Sequence, residues 1–136
     1  MIRASITRIL ASVLAFTLFF AYTPPLLADS LTGNYVNDTI EVVQELTRAV
    51  ELPADAPPEV KKEIQAQARR KINDYIARYR RNNKYNGLRS FTTMQTALNS
   101  LAGYYTSYGT RPLPDKLKQR ILQEFKQVEF ALKKGY

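Results

Sequence analysis

Apolar residues recur along most of the chain at intervals of three and four, the spacing that lines one face of a helix. Val36, Ile40, Val43 and Val50 share one stripe, with Val42, Leu46 and Ala49 beside it, which predicts a helix from about Val36 to Glu51. Asp38 followed three residues later by Glu41 reads as a capping box, with carboxylates at the positive end of the helix dipole. "LPADAPP" then breaks the chain, because Pro fixes φ and lacks an N–H. A second helix starts at Pro57 or Pro58 and carries Val60, Ile64, Ala68, Ile72, Tyr75, Ile76 and Tyr79 on its stripe. It leaves through "RRNNKYNG", where cations meet the negative helix end and Asn and Gly supply the exit. Ser90 is placed to cap a third helix with the stripe Phe91, Met94, Leu98, Leu101 and Tyr105, closed by Gly109. After "RPLP" a fourth helix carries Leu117, Ile121, Phe125, Val128 and Leu132, and Gly135 follows it.

No strand-like alternation of useful length interrupts these four runs. Short links between long helices force antiparallel neighbours, so the expected fold is all-α, an up-down-up-down four-helix bundle. The first 28 residues are of another kind. Arg3 and Arg8, without any acid, precede the apolar stretch "ILASVLAFTLFFAY" and then "TPPLLA", the order of a secretory signal. The apolar core is shorter than the roughly 20 residues that span a bilayer. The expected division is therefore residues 1–28 as a signal peptide of the Sec type and residues 29–136 as the bundle. A retained membrane anchor is the alternative.

Composition removes most chemistry. The 136 residues include no His and no Cys. The usual general base near neutral pH, the common nucleophile pairs and nearly all zinc or haem ligation are thereby absent. No Gly-rich phosphate loop occurs, and Glu124 and Glu129 fall at outward-looking helix positions where they are expected to be solvated. No catalytic residue, no metal ligand and no cofactor is expected, and the chain does not read as an enzyme. Without a Cys, no thioether-linked lipid is expected either.

Charge points to a surface. The net charge is +8, and residues 61 to 89 hold ten Lys or Arg against Glu63 and Asp74, while residues 29 to 59 hold seven acids against Arg48. Such asymmetry suggests a binding surface. Six of the cations from 69 to 89 are Arg, whose forks pair with carboxylates in fixed geometry. Asp74 is spaced to pair with Arg70 or Arg78 on the same helix. Tyr75, Tyr79 and Tyr105 suit the core, while Tyr85, Tyr104 and Tyr108 fall near turns, where a ring either lids the bundle or anchors a partner. The third helix is unusual: "SFTTMQTALNSL" fills its remaining faces with Thr92, Thr93, Gln95, Thr96, Asn99 and Ser100 instead of long charged residues. Either these small residues let the helix pack closely, helped by Ala97 and Gly103, or they form an uncharged docking face.

Four segments carry a resemblance: "LTGNYVNDTIEVVQELTRAVELP", "INDYIARYRRNNK", "SFTTMQTALNSLAGYYTSYG" and "RPLPDKLKQRILQEFKQVE". Together they closely resemble the family of small photosystem II assembly and repair factors of the thylakoid lumen, the photosystem II lipoproteins, over residues 31 to 134. The resemblance implies a lumenal four-helix bundle, non-enzymatic and without a cofactor of its own, peripheral to the thylakoid membrane. It implies transient binding to the lumenal loop of the 43-kilodalton inner antenna protein of photosystem II in immature or damaged complexes, with contact to other core subunits. It further implies keeping extrinsic subunits off while the manganese cluster is assembled. Family members of cyanobacterial type usually carry a lipidated Cys at the mature N-terminus; here Asp29 or Ser30 stands there, so a freely soluble, monomeric lumenal form is expected. The docking site is expected around Arg78, Arg81, Lys84 and Arg89, with Thr92, Thr96, Asn99 and Tyr108. The competing reading is an exported basic bundle that binds anionic membrane or polyanion nonspecifically. Nucleic acid is not an expected partner of an exported chain.

Overall fold

A computed structural model of the chain describes residues 31–136. The expected signal segment and its cleavage before Asp29 lie outside the described residues. Four helices follow one another: α1 Tyr35–Val50, α2 Pro58–Tyr79, α3 Arg89–Tyr108 and α4 Asp115–Lys134. Each packs on its neighbours in sequence and α4 returns to α1, closing a four-membered ring in which α3 and α4 share the most extensive contact. Among the described residues there is no strand. This is the expected four-helix bundle.

The apolar stripes meet in one core. Val42, Leu46, Tyr75, Tyr79, Phe91, Met94, Leu98, Leu101, Ile121, Phe125 and Val128 are all at most 2% exposed. Apolar burial of this kind contributes about 25 cal/mol for each Å² removed from water. Three residues of the expected stripes lie outside this core, Val36, Val60 and the half-buried Ile40. Val36 is 43% exposed because the buried face of α1 runs instead through Tyr35, Thr39, Val42, Leu46 and Ala49. Val60 is 40% exposed in the first turn of α2, whose 22 residues outrun the 16 of α1.

Helix ends also differ from expectation. Asn34 caps α1, its side chain accepting from the Asn37 N–H at 3.1 Å. Asp38 does not act as a cap with Glu41; it sits one turn further in, fully buried. Leu88, not Ser90, precedes the first residue of α3, and Ser90 is buried inside the first turn. Gly109 ends α3 with φ +62° and Gly135 ends α4 with φ +77°, both in the region that favours glycine. Glu124 is not solvated as expected. Its side chain is 14% exposed, one oxygen lies 3.1 Å from Arg120, and the other is buried without a hydrogen-bond partner.

Candidate functional site

The start of α1, the end of α2, the start of α3 and the end of α4 gather at one end of the bundle. Its interior is built of tyrosines. Tyr35 stacks on Tyr85 with centroids 4.5 Å apart and meets Tyr79 edge-on at 5.2 Å, while Tyr75 lies 5.2 Å from Tyr79. Buried hydroxyls need partners, and these find each other. Tyr35 Oη and Ser90 Oγ are 2.7 Å apart, which explains why Ser90 is buried rather than capping. Thr39 Oγ1 donates to the Tyr35 carbonyl at 2.6 Å, so the Tyr75 hydroxyl, 2.9 Å away, is the donor in the next bond.

Asp38 closes this end. Its carboxylate accepts from Thr32 N and Oγ1 at 2.8 Å, from Gly33 N at 3.0 Å and from the Tyr79 hydroxyl. Burial alone would raise the carboxyl, but these four bonds outweigh it and hold Asp38 below its ordinary value of 3.8. Burial, then the bond to Asp38 and its charge, push the Tyr79 hydroxyl above 10. Gly33 adopts φ +89°, and a Cβ there would lie 3.3 Å from an Arg78 guanidinium nitrogen. The segment before α1 is thus strapped across the bundle end, with Arg78 against it.

Outside this tyrosine floor the surface is cationic. Arg78, Arg80, Arg81, Lys84, Arg89, Lys133 and Lys134 are exposed there, whereas of the acids near this end Asp38 is buried and Glu129, in the last turns of α4, is exposed. Lys84 Nζ lies 5.4 Å from the Tyr85 ring centroid, so Tyr85 is a lid of the core that also carries a surface cation. Some of the charge asymmetry along the chain has an internal use. Lys71 on α2 is buried and reaches Glu41 at 3.3 Å and Glu45 at 3.7 Å on α1. Among the described residues Asp74 has no ion pair within 4.0 Å, so the expected pairs with Arg70 or Arg78 are not formed.

From the basic end an uncharged helix face runs along α3. Arg89, Thr92, Thr96 and Asn99 are exposed at spacings of three, four and three. From Ser90 to Tyr108 the helix carries no charged residue at all. The hydroxyls do not reach outward: Thr92 Oγ1 donates to Arg89 O, Thr96 to Thr92 O and Ser100 to Thr96 O, at 3.2, 3.1 and 3.0 Å. Hydroxyls bonded back to their own helix are already partnered and do not depend on a neighbour. Ala97, fully buried, serves the close-packing role, while Gly103 is exposed with open space around it and does not. The close-packing reading of "SFTTMQTALNSL" thus holds for the face of Ala97, while Thr92, Thr96 and Asn99 form an exposed, uncharged face.

All eight residues expected at the docking site are exposed. Arg78, Arg81, Lys84 and Arg89 come together at the basic end, and Thr92, Thr96 and Asn99 continue from it. Tyr108 does not join them: it lies 19 residues along α3, about 28 Å from Arg89, with its ring 4.9 Å from Tyr104. Tyr104 itself lids the opposite end, donating to Pro112 O at 2.7 Å. Two exposed rings beside Arg89, Phe130 and Tyr136, were not among the expected residues. Phe130 was nonetheless legible, since it falls off the apolar stripe of α4. Among the described residues no cluster of three or more Asp or Glu could hold a metal ion, and no helix is long and apolar enough to cross a membrane.

Fold and surface define a small all-α bundle with one basic end and one uncharged flank. The family model described as Photosystem II Pbs27 matches residues 1–132. Photosystem II lipoprotein Psb27 of Synechocystis sp. is 59% identical over 105 residues, 77% of each chain. Photosystem II repair protein PSB27-H1 of Arabidopsis thaliana is 34% identical over 102 residues, covering 74% of this chain and 58% of its own. The solution structure of Psb27 from cyanobacterial photosystem II superimposes with a TM-score of 0.74 at 57% identity, covering 80% of this chain and 93% of that one. The crystal structure of PSB27 from Arabidopsis thaliana gives 0.71 at 33% identity, over 75% and 98%. The chain belongs to the Psb27 family of photosystem II assembly and repair factors.

Proposed function

We propose that the protein docks transiently on the lumenal side of immature or damaged photosystem II, on the lumenal loop of the 43-kilodalton inner antenna protein. While bound it keeps extrinsic subunits off and so leaves room for assembly of the oxygen-evolving manganese cluster. It does this as a shaped obstacle and holds no cofactor itself. One observation carries the reading. The Psb27 likeness spans the whole bundle, and it coincides with a surface built for contact: exposed Arg81, Lys84 and Arg89 beside the uncharged α3 face of Thr92, Thr96 and Asn99. Arg supplies directional pairing with carboxylates, and back-bonded Thr residues lose little solvation when covered. With no Cys in the chain, we place it in the thylakoid lumen as a protein without a thioether-linked lipid.

The basic end favours a second reading, nonspecific binding of anionic membrane or polyanion. Salt separates the two, because nonspecific polyanion binding falls steeply with ionic strength. Tagged protein would be crosslinked in photosynthetic membranes and recovered at moderate and high salt. Capture of photosystem II lacking extrinsic subunits at both, with crosslinks from α3 to the antenna loop, is the expected result. Recovery of lipid alone, or loss of all partners at high salt, would favour the second reading.

A further inference from the structure

At the basic end a groove of about 400 Å³ opens between α3 and α4, lined by Arg89, Thr93, Gln123, Lys126, Gln127 and Phe130, with Tyr136 at its mouth. Phe130 is 61% exposed and Tyr136 54%, two of the five large apolar side chains that the described residues leave in water. Each ring already carries a cation: Arg89 Cζ lies 5.8 Å from the Tyr136 centroid and Lys134 Nζ 5.6 Å from that of Phe130. Arg89, Lys126 and Lys134 have no ion pair within 4.0 Å among the described residues. Aromatic rings held open between unpaired cations are what an anchored interface needs on one side: an apolar site for a single side chain, and a rim of charge around it.

We infer that this groove is the grip of the protein, and that it takes an acidic segment of a partner polypeptide. One aromatic or aliphatic side chain of the segment sits between Phe130 and Tyr136, and carboxylates before and after it meet Arg89, Lys126 and Lys134. Charge complementarity selects this occupant. A second copy of this chain would bring its own cations to the groove, and a neutral peptide would leave three cations unanswered. The groove is continuous through Arg89 and Thr92 with the uncharged α3 face, so one partner can cover both. The inference rests on the proposed docking to photosystem II and adds where the grip is and what chemistry fills it.

The test uses the full chain with a photoreactive benzoylphenylalanine at Gln127, irradiated with photosystem II membranes freed of extrinsic subunits, together with Phe130→Ser and Lys126→Glu. Crosslinks are expected on a photosystem II polypeptide, within a few residues of both a carboxylate and an apolar side chain. Each substitution is expected to weaken binding about tenfold or more, as loss of an interface anchor does, with helical content and melting unchanged. Crosslinking to lipid, to a second copy, or to a segment without carboxylates would overturn the inference, and so would undiminished binding by both variants. Arg89 is left intact so that the two levels separate. If the unaltered chain binds and the groove variants bind equally well, the docking proposal survives and the groove fails. If the unaltered chain does not bind these membranes, both fall.

Discussion

A carboxylate with no exposed surface keeps its charge only where donors surround it, and Asp38 has four. Three come from the strap before α1 and one from Tyr79, 41 positions later, so this side chain ties the segment, α1 and α2 together. Asp38→Asn should cost about 2 kcal/mol, the order expected for hydrogen bonds to a charged group, read as a lower denaturant midpoint. The folded value is depressed, so the stabilisation is full above 3.8 and lost as pH falls through the lower folded value. Melting curves between pH 7 and pH 2 should show that loss in the natural chain and much less of it in Asp38→Asn. The tyrosines work in the opposite direction. Burial raises Tyr35, Tyr75 and Tyr79 above 10 and pushes Tyr105 up to about 12, so their contribution is full below pH 10 and lost as pH rises through those values. An ultraviolet titration should find these four phenols ionising only as the bundle unfolds. None of this was legible around Asp38 itself, because an acid at a helix start is ordinarily an exposed cap and its partner is distant in sequence. The burial of Tyr75 and Tyr79, by contrast, followed from their place on the α2 stripe.

At the scale of one helix, α3 separates stability from contact. Leu98 is fully buried, and Leu98→Ala should destabilise the bundle by about 2–5 kcal/mol. Thr96 is exposed and bonded only to its own helix, so Thr96→Glu should leave melting nearly unchanged while placing a carboxylate in the middle of the proposed docking face. Affinity for photosystem II that is the same in Thr96→Glu as in the unaltered chain would remove the α3 face from the interface. Periodicity made the four helices and nearly all of their buried faces readable, because repeats of three and four leave little choice about which side is buried. It placed Val36, Ile40 and Val60 too deep: Tyr35 takes the buried position at the start of α1, so the buried face runs beside Val36 and Ile40, and the first turn of α2 outruns its shorter neighbour. Small polar residues could not be assigned to a face in advance. The half-buried Thr93 and Ser100 resemble the exposed Thr92, Thr96 and Asn99 in composition, and only the fold tells them apart.

For the whole molecule, the uneven charge along the chain resolves into two parts. Lys71 answers Glu41 and Glu45 across the α1–α2 interface, a pairing hidden in sequence because it joins positions 26 and 30 apart. Seven of the other cations, Arg78, Arg80, Arg81, Lys84, Arg89, Lys133 and Lys134, meet at one end because α2 ends, α3 begins and α4 ends there, and the C-termini of α2 and α4 favour basic residues through their dipoles. The cationic end was therefore visible in the chain, but its neighbours Phe130 and Tyr136 were separated from it by 41 and 47 positions from Arg89 and met it only through the topology. In the docking proposed above, such an end would speed encounter with an acidic surface, and the uncharged face and the rings would hold the complex once formed. Binding that is specific and shaped differs from merely cationic binding in its response to salt. Specific docking is tested most directly by the affinity of the full chain for isolated photosystem II cores freed of extrinsic subunits, measured from low to high salt beside anionic lipid vesicles. Affinity for the cores should decline gently and persist at high salt, while any binding to vesicles disappears. Equal and steep loss from both would contradict it.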